Sequence, residues 1–237
     1  MARLARLYVP GMPQHVILES QVTALAFRDA EDLICFAETL REASKALGFA
    51  IHAYALLPHA VHLLGSPADA DSVPSTMQAL GRRYVALHNR RHGRQGPLWE
   101  GRYRATVIDP EQHLLFTSRI IESLSGDVAT LNGGGQILPG PRRSSYPHHV
   151  GLAIDPTITD HPIYWALGNT PFERQRAYRS LAEQPLANEI VTHLIDATRK
   201  GWILGDAAFQ ARCERLANRR IVPLPRGRPK KAPEVPN

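Results

Sequence analysis

Along the first half of the chain, some segments are rich in apolar and β-forming residues, and others repeat an apolar residue every third or fourth position. The first pattern predicts strands and the second predicts helices. The predicted helices also have starting and stopping residues, such as Asp29 before the first helix and Gly48 after it. The predicted elements are, in chain order, a strand region at 14–27, a helix between Asp29 and Gly48, strands at 49–57 and 61–66, a helix from 73 to near Gly93, a strand at 101–108 and a helix at 110–124.

The order of these elements predicts an α+β fold of the ferredoxin-like βαββαβ type, with a four-stranded antiparallel sheet and helices on one face. Farther along, Thr170 to Glu173 has the pattern of a capping box with proline at the first helical position. It opens an all-α appendage with helices near 171–183, 186–200 and 206–219. The predicted organisation is a domain at 1–135, a loop or linker at 136–154, the helical appendage at 155–220 and a disordered basic tail at 221–237.

Positive charge is concentrated in two segments, although the whole chain has 28 Lys and Arg against 22 Asp and Glu and a net charge of only +6. Residues 82–104 contain seven arginines and one acid, and residues 212–231 contain eight basic residues and one acid. The rest of the chain therefore carries a charge of −7. This focusing is typical of a surface that binds a polyanion, most simply nucleic acid, and an ordinary solvated basic surface is the alternative.

Composition excludes several other classes of protein. No apolar run approaches the roughly 18 residues that a membrane span needs, and the N-terminus lacks the pattern of a signal peptide. The two cysteines, Cys35 and Cys213, are too few for a disulfide scaffold or a four-thiolate zinc site. We therefore expect a cytoplasmic protein with reduced thiols and no membrane partner.

Several short segments carry a resemblance to a known family: PGMPQHVI at 10–17, LPHAVHLL at 57–64, LGRRYV at 80–85, LWEGRYR at 98–104, SSY at 144–146 and RGRPK at 226–230. Together they resemble the REP-associated tyrosine transposases, which belong to the single-tyrosine HUH superfamily. The resemblance extends over nearly the whole chain. It implies the same βαββαβ fold, single-stranded or hairpin DNA as the partner, a homodimer and a bacterial, nucleoid-associated protein.

The family's chemistry needs four side chains that this chain largely lacks. Two histidines that flank one hydrophobic residue on a strand hold Mg²⁺ or Mn²⁺, and a tyrosine on the third helix attacks phosphorus. An Asn or Gln four residues after the tyrosine completes the metal shell. The matching positions here are Ala60 and His62 for the histidines, Ile120 for the nucleophile and Leu124 for the last ligand. The resemblance therefore implies no intact catalytic residue and only His62 as a remnant of the metal site, with no cofactor expected unless the centre is active with Mg²⁺ or Mn²⁺.

Other residues are possible substitutes for the lost ones. His59 is one residue out of phase with the family's first histidine, so it faces the other side of the strand unless a bulge intervenes. Tyr84 falls in the apolar stripe of its helix, and Tyr103 matches a family tyrosine that is not the nucleophile. His113 lies two turns, about 10 Å, before Ile120. A working DNA-nicking and strand-transfer enzyme with a rearranged centre therefore stays an alternative.

Two further patterns bear on ligands. Glu19 stands in a segment where the family usually has a basic residue, which predicts weaker contact with a phosphate backbone there. His88 and His92 are four residues apart on the second helix and could clamp a metal, although Asn89 takes the place of the glutamate of the zinc-protease motif. Two ordinary surface histidines are the alternative.

The sequence therefore predicts a DNA-binding protein of the transposase type whose nuclease centre has decayed. A protein-interaction module built on the helical appendage is a third hypothesis. The RGRPK segment resembles an AT-hook, which lies in a narrow minor groove, but simple phosphate attraction explains its charge equally well. The residues expected to contact DNA are Arg82, Arg83, Arg90, Arg91, Arg94, Arg102, Arg104, Arg226, Arg228 and Lys230.

Overall fold

The structure, a computed structural model, describes residues 7–126, 142–217 and 221. Its strands are β1 (Gln14–Glu19), β2 (Phe49–Leu57), β3 (Ala60–Pro67) and β4 (Arg104–Val107). Its helices are α1 (Ala30–Ala46), α2 (Ser72–His92), α3 (Pro110–Ser123), α4 (Tyr146–His149), α5 (Pro162–Trp165), α6 (Pro171–Glu183), α7 (Asn188–Lys200) and α8 (Ala207–Ala217). The AT-hook-like segment with Arg226, Arg228 and Lys230 lies outside the described residues, as do residues 127–135 of the predicted first domain and residues 136–141 of the predicted linker.

The four strands form one antiparallel sheet in the order β2-β3-β1-β4. This is the arrangement of the βαββαβ unit, so the predicted α+β fold class is confirmed. The first strand is shorter than the predicted region at 14–27, because the chain turns after the isolated bridge between Ser20 and Trp99. The hairpin that joins β2 to β3 turns at Pro58 and His59.

One face of the sheet is covered by α1 and α2, as predicted for the two helices of the unit. Phe36 of α1 and Tyr84 of α2 are buried against Val16 and Leu63, which project from this face. The Asp29 side chain accepts a hydrogen bond from the Asp32 N–H and caps α1. The helix α2 ends at Gly93, which has the left-handed φ of 61° that glycine adopts without strain.

The opposite face of the sheet is covered by α3 and α7. Ala53 and Leu64 of the sheet share a buried core with Ile120 of α3 and with Leu194 and Ala197 of α7. The helix α7 belongs to the predicted appendage, and here it completes the core of the sheet. Because both faces are covered, β2 is almost continuously apolar instead of alternating.

Side chains from α4 and α6 meet a buried carboxylate on α3. Glu122 has no exposed surface and accepts hydrogen bonds from the Ser145 hydroxyl (2.5 Å), the His149 Nδ1–H (2.6 Å) and the Tyr178 hydroxyl (2.6 Å). Burial alone would lower the pKa of His149, but the adjacent Glu122 carboxylate outweighs burial and raises it above the usual 6.5. This network ties α3, α4 and α6 together.

The helical character of the C-terminal half is confirmed by α6, α7 and α8, which lie close to the predicted bounds. The capping box at Thr170 is present, with the Thr170 hydroxyl and the Glu173 carboxylate each accepting a backbone N–H. Within the described ranges, no helix is both long and apolar enough to cross a membrane.

Candidate functional site

His62 lies on β3, on the sheet face that α7 covers, and only 4% of its surface is exposed. The Thr198 hydroxyl of α7 donates to the Leu194 carbonyl (2.9 Å), so its oxygen accepts the Nδ1–H of His15 (2.7 Å). His15 Nε2 must then accept the Nδ1–H of His62, 3.1 Å away. The two imidazole rings stack with their centroids 5.3 Å apart. A directed chain of hydrogen bonds thus runs from His62 to α7.

The two histidines of this hydrogen-bond chain, His15 and His62, are held neutral. Burial lowers the pKa of His62 to about 4, and the charge of Arg199 on α7 adds to the shift. Burial also lowers the pKa of His15, with a further contribution from His62. A neutral imidazole has one donor and one acceptor, which is the pattern that the chain of hydrogen bonds requires.

The other three positions that match the catalytic centre of the family place no metal ligand and no nucleophile on this face of the sheet. Ile120 is fully buried in the core shared by α3, α7 and the sheet. Leu124 is the C-terminal cap of α3, and Ala60 opens β3 opposite Glu19. The carboxylate of Glu19 pairs with Arg199 of α7 (2.6 Å) and fastens that helix to β1.

His59 does not join His62. It is exposed in the hairpin turn, with Nδ1 3.4 Å from the Ser20 hydroxyl. The β1–β3 pairing runs without a break from Ala60 to Gly65, so the bulge that would bring His59 into phase is absent. The sheet does contain one register shift, but it lies in β2 at His52.

The Mg²⁺ or Mn²⁺ ion that the resemblance implies does not fit these residues. Mg²⁺ favours oxygen ligands and keeps several waters, whereas the site offers the imidazoles of His62 and His15, which are bonded to each other, and His15 is bonded also to Thr198. Ala60 and Leu124 have no ligand atoms. We therefore assign no chemical step to a metal at this face.

The tyrosines considered as substitutes are part of the core on the other face of the sheet. The Tyr84 hydroxyl donates to the Ala26 carbonyl (2.5 Å), and burial raises its pKa above the usual range. Tyr103 is 9% exposed and lies in the same core. His113 lines a groove between α3 and α7 with a volume of about 1090 Å³, which is lined also by Asn188 and Trp202.

The arginines that were predicted to bind DNA and that the structure describes divide into two groups. Arg83 pairs with Glu42 (3.4 Å), Arg91 pairs with Asp29 (3.1 Å) and with Asp32, and Arg94 is half-buried. The others are exposed, and no ion pair joins them to a carboxylate within the described residues. These free arginines are Arg82, Arg90, Arg102 and Arg104.

Replacing Thr198 by valine tests the closure of this face by α7. Valine keeps the shape but leaves the buried His15 N–H without an acceptor, so the free energy of unfolding should fall by about 1–3 kcal/mol. Thr192→Val is the matched control, because its hydroxyl also bonds to a carbonyl four residues back (2.9 Å) but is exposed. Urea unfolding should place the control within about 0.5 kcal/mol of wild type. Equal effects of the two substitutions would contradict this arrangement.

Comparison with known proteins gives structural likenesses only. No protein-family model and no curated protein matches the chain. A REP-associated tyrosine transposase bound to a REP hairpin is 18% identical, with a TM-score of 0.43 over 65% of this chain and 90% of that one. A candidate transposase from Deinococcus radiodurans is 22% identical, with a TM-score of 0.36 over 50% and 95% of the two chains. A bacterial tRNA(His) guanylyltransferase-like protein in complex with GTP is 14% identical, with a TM-score of 0.35 over 58% and 76%. These values leave the choice of function to the residues of the chain itself.

Proposed function

We propose that this protein is a transposase-type DNA-binding protein that does not cleave DNA. The observation that carries the absence of cleavage is the closure of the His62 face by α7. A phosphoryl transfer needs the nucleophile and the scissile phosphate within about 3–3.5 Å of each other. Ile120 is fully buried beneath α7 and has no nucleophilic atom.

The DNA-binding part of the proposal rests on the four free arginines. Arg82 and Arg90 lie on α2, while Arg102 and Arg104 lie just before and at the start of the edge strand β4. Guanidinium groups without acidic partners are available to phosphate oxygens, which they bind with two parallel hydrogen bonds. The sequence resemblance supports single-stranded or hairpin DNA as the ligand. A homodimer and association with the nucleoid are parts of the same proposal.

The test uses a labelled hairpin oligonucleotide incubated with the full chain and Mg²⁺ or Mn²⁺. We expect a retarded complex on a native gel at low salt and no covalent protein–DNA adduct on a denaturing gel. An adduct that survives denaturation would overturn the absence of cleavage. If no complex forms at 50 mM salt, the DNA-binding function itself is wrong.

A further inference from the structure

Asp32, His88 and His92 form a cluster of side chains that the proposed function does not use. Asp32 lies in the first turn of α1, and the two histidines lie in the last turns of α2. The cluster therefore lies on the side of the sheet that α1 and α2 cover, opposite to the face that carries His62. One ligand atom from each residue lies within 4.8 Å of the other two.

The two distances from Asp32 to the histidines lie on either side of the ligand-to-ligand distance in a tetrahedral metal site. Asp32 Oδ2 is 2.8 Å from His92 Nε2 and 3.9 Å from His88 Nε2. Ligand atoms that each lie about 2.0–2.2 Å from a tetrahedral Zn²⁺ are about 3.4 Å apart. An ion between the three atoms would therefore open the shorter distance and close the longer one, each by about half an ångström or slightly more.

A second observation points to a ligand at this place. His88 is 1% exposed, and neither of its ring nitrogens has a hydrogen-bond partner among the described residues. A neutral imidazole carries one N–H and one lone pair, and leaving such groups buried and unpaired destabilises the fold. An ion bound at Nε2 would use the lone pair, and Nε2 is the nitrogen 3.9 Å from the Asp32 carboxylate.

Charged groups of both signs surround the cluster. Asp32 Oδ2 also accepts the Arg28 backbone N–H (2.9 Å), and Oδ1 pairs with the Arg91 guanidinium. Arg91 is shared with Asp29, 3.1 Å away. Two carboxylates thus face the Arg91 guanidinium at the Asp32 end of the cluster, while the charges of Arg94 and Arg28 act on His88.

We propose that Asp32, His88 and His92 bind a transition-metal ion of the Zn²⁺ class. Two imidazoles and one carboxylate suit Zn²⁺ and its neighbours, whereas Mg²⁺ prefers sites made of oxygen atoms. The ligand atoms are Nε2 of each histidine and Oδ2 of Asp32, with a water in the fourth position. The ion fastens the start of α1 to the end of α2, which is the end that carries Arg90. The site does not depend on DNA binding or on the His62 face.

The test is a titration of the full chain with the metal alone, after treatment with a chelator and without a polyhistidine tag. One equivalent of Co²⁺ should give the visible absorption of a tetrahedral site, and Zn²⁺ should remove that absorption. Zn²⁺ at 100 times its Kd should raise the melting temperature by about 5–10 °C. His92→Gln should weaken binding at least tenfold, and it should fold normally because His92 is only partly buried at the end of its helix.

Two controls decide where the ion binds. His193→Gln changes an exposed histidine of α7 and should leave the Co²⁺ spectrum and the affinity unchanged. His62→Gln should also keep the spectrum. If the spectrum survives His92→Gln and disappears in His62→Gln, the ion belongs to the other face and the proposal is overturned. The absence of a Co²⁺ spectrum in the wild-type protein overturns it as well.

Discussion

Replacing Glu122 by alanine is expected to lower the free energy of unfolding by about 3–5 kcal/mol, which is the usual cost of removing one partner of a buried ion pair. The carboxylate is completely buried and is the common acceptor for Ser145, His149 and Tyr178. Without it, three donors from two segments of the chain, Ser145 and His149 at α4 and Tyr178 of α6, lose their partner in an apolar setting. Urea unfolding followed by circular dichroism would measure the change.

The pH dependence of stability separates loss of this ion pair from a general loss of packing. Because the pKa of His149 is raised in the folded state, its contribution is fully present below pH 6.5 and disappears as pH rises through the raised pKa. The wild-type protein should lose this contribution above pH 6.5, and the Glu122→Ala variant should not. Glu183→Ala, at an exposed position of α6, should change stability by less than about 0.5 kcal/mol and keep the wild-type pH profile. If Glu122→Ala keeps the wild-type profile, the ion pair does not contribute as described.

Neutralising the four free arginines together is expected to flatten the salt dependence of DNA binding. Each phosphate contact contributes about 0.7–0.9 to the slope of log K against log salt concentration. Between 50 and 200 mM salt, the wild-type protein should therefore lose about 50- to 150-fold more affinity than the variant. Fluorescence anisotropy with a hairpin oligonucleotide would measure both slopes. The variant changes Arg82, Arg90, Arg102 and Arg104 to glutamine.

The control for this experiment removes the same charge elsewhere. A second variant changes Arg41, Lys45, Arg176 and Lys200 to glutamine, and all four lie outside the two basic segments. Its slope should stay close to that of the wild-type protein. Equal losses of slope in the two variants would show that total charge, and not these four arginines in particular, attracts the DNA. A flat wild-type slope would favour an apolar protein interface instead.

The course of the backbone was largely predictable from the sequence. The Asp29 side chain caps the start of α1, Gly93 ends α2 in the left-handed conformation, and the capping box at Thr170 starts α6 where predicted. These signals are local, since each depends on atoms within a few residues. The periodicity also identified the apolar stripe of α2 that contains Tyr84.

The associations between distant polar side chains were not predictable. Glu122 meets His149 and Tyr178 across 27 and 56 residues, and Asp32 meets His92 across 60. Periodicity shows which face of an element is apolar, but it does not identify the segment that covers that face. In the sequence, the continuous apolar character of β2 was the sign that helices cover both faces of the sheet. The helices on the second face are α3 and α7.

The packing of α7 against α3 restricts the size of the side chain at position 120. Ile120 fills space against Leu194 and Ala197, so a tyrosine there would overpack the core, a change that typically costs about 1–3 kcal/mol. The new phenol would still face α7, with Ala60 and Leu124 unable to supply a cation beside it. A tyrosine at position 120 therefore destabilises the protein without creating a catalytic site. Strand transfer at this face would require several substitutions together with the departure of α7.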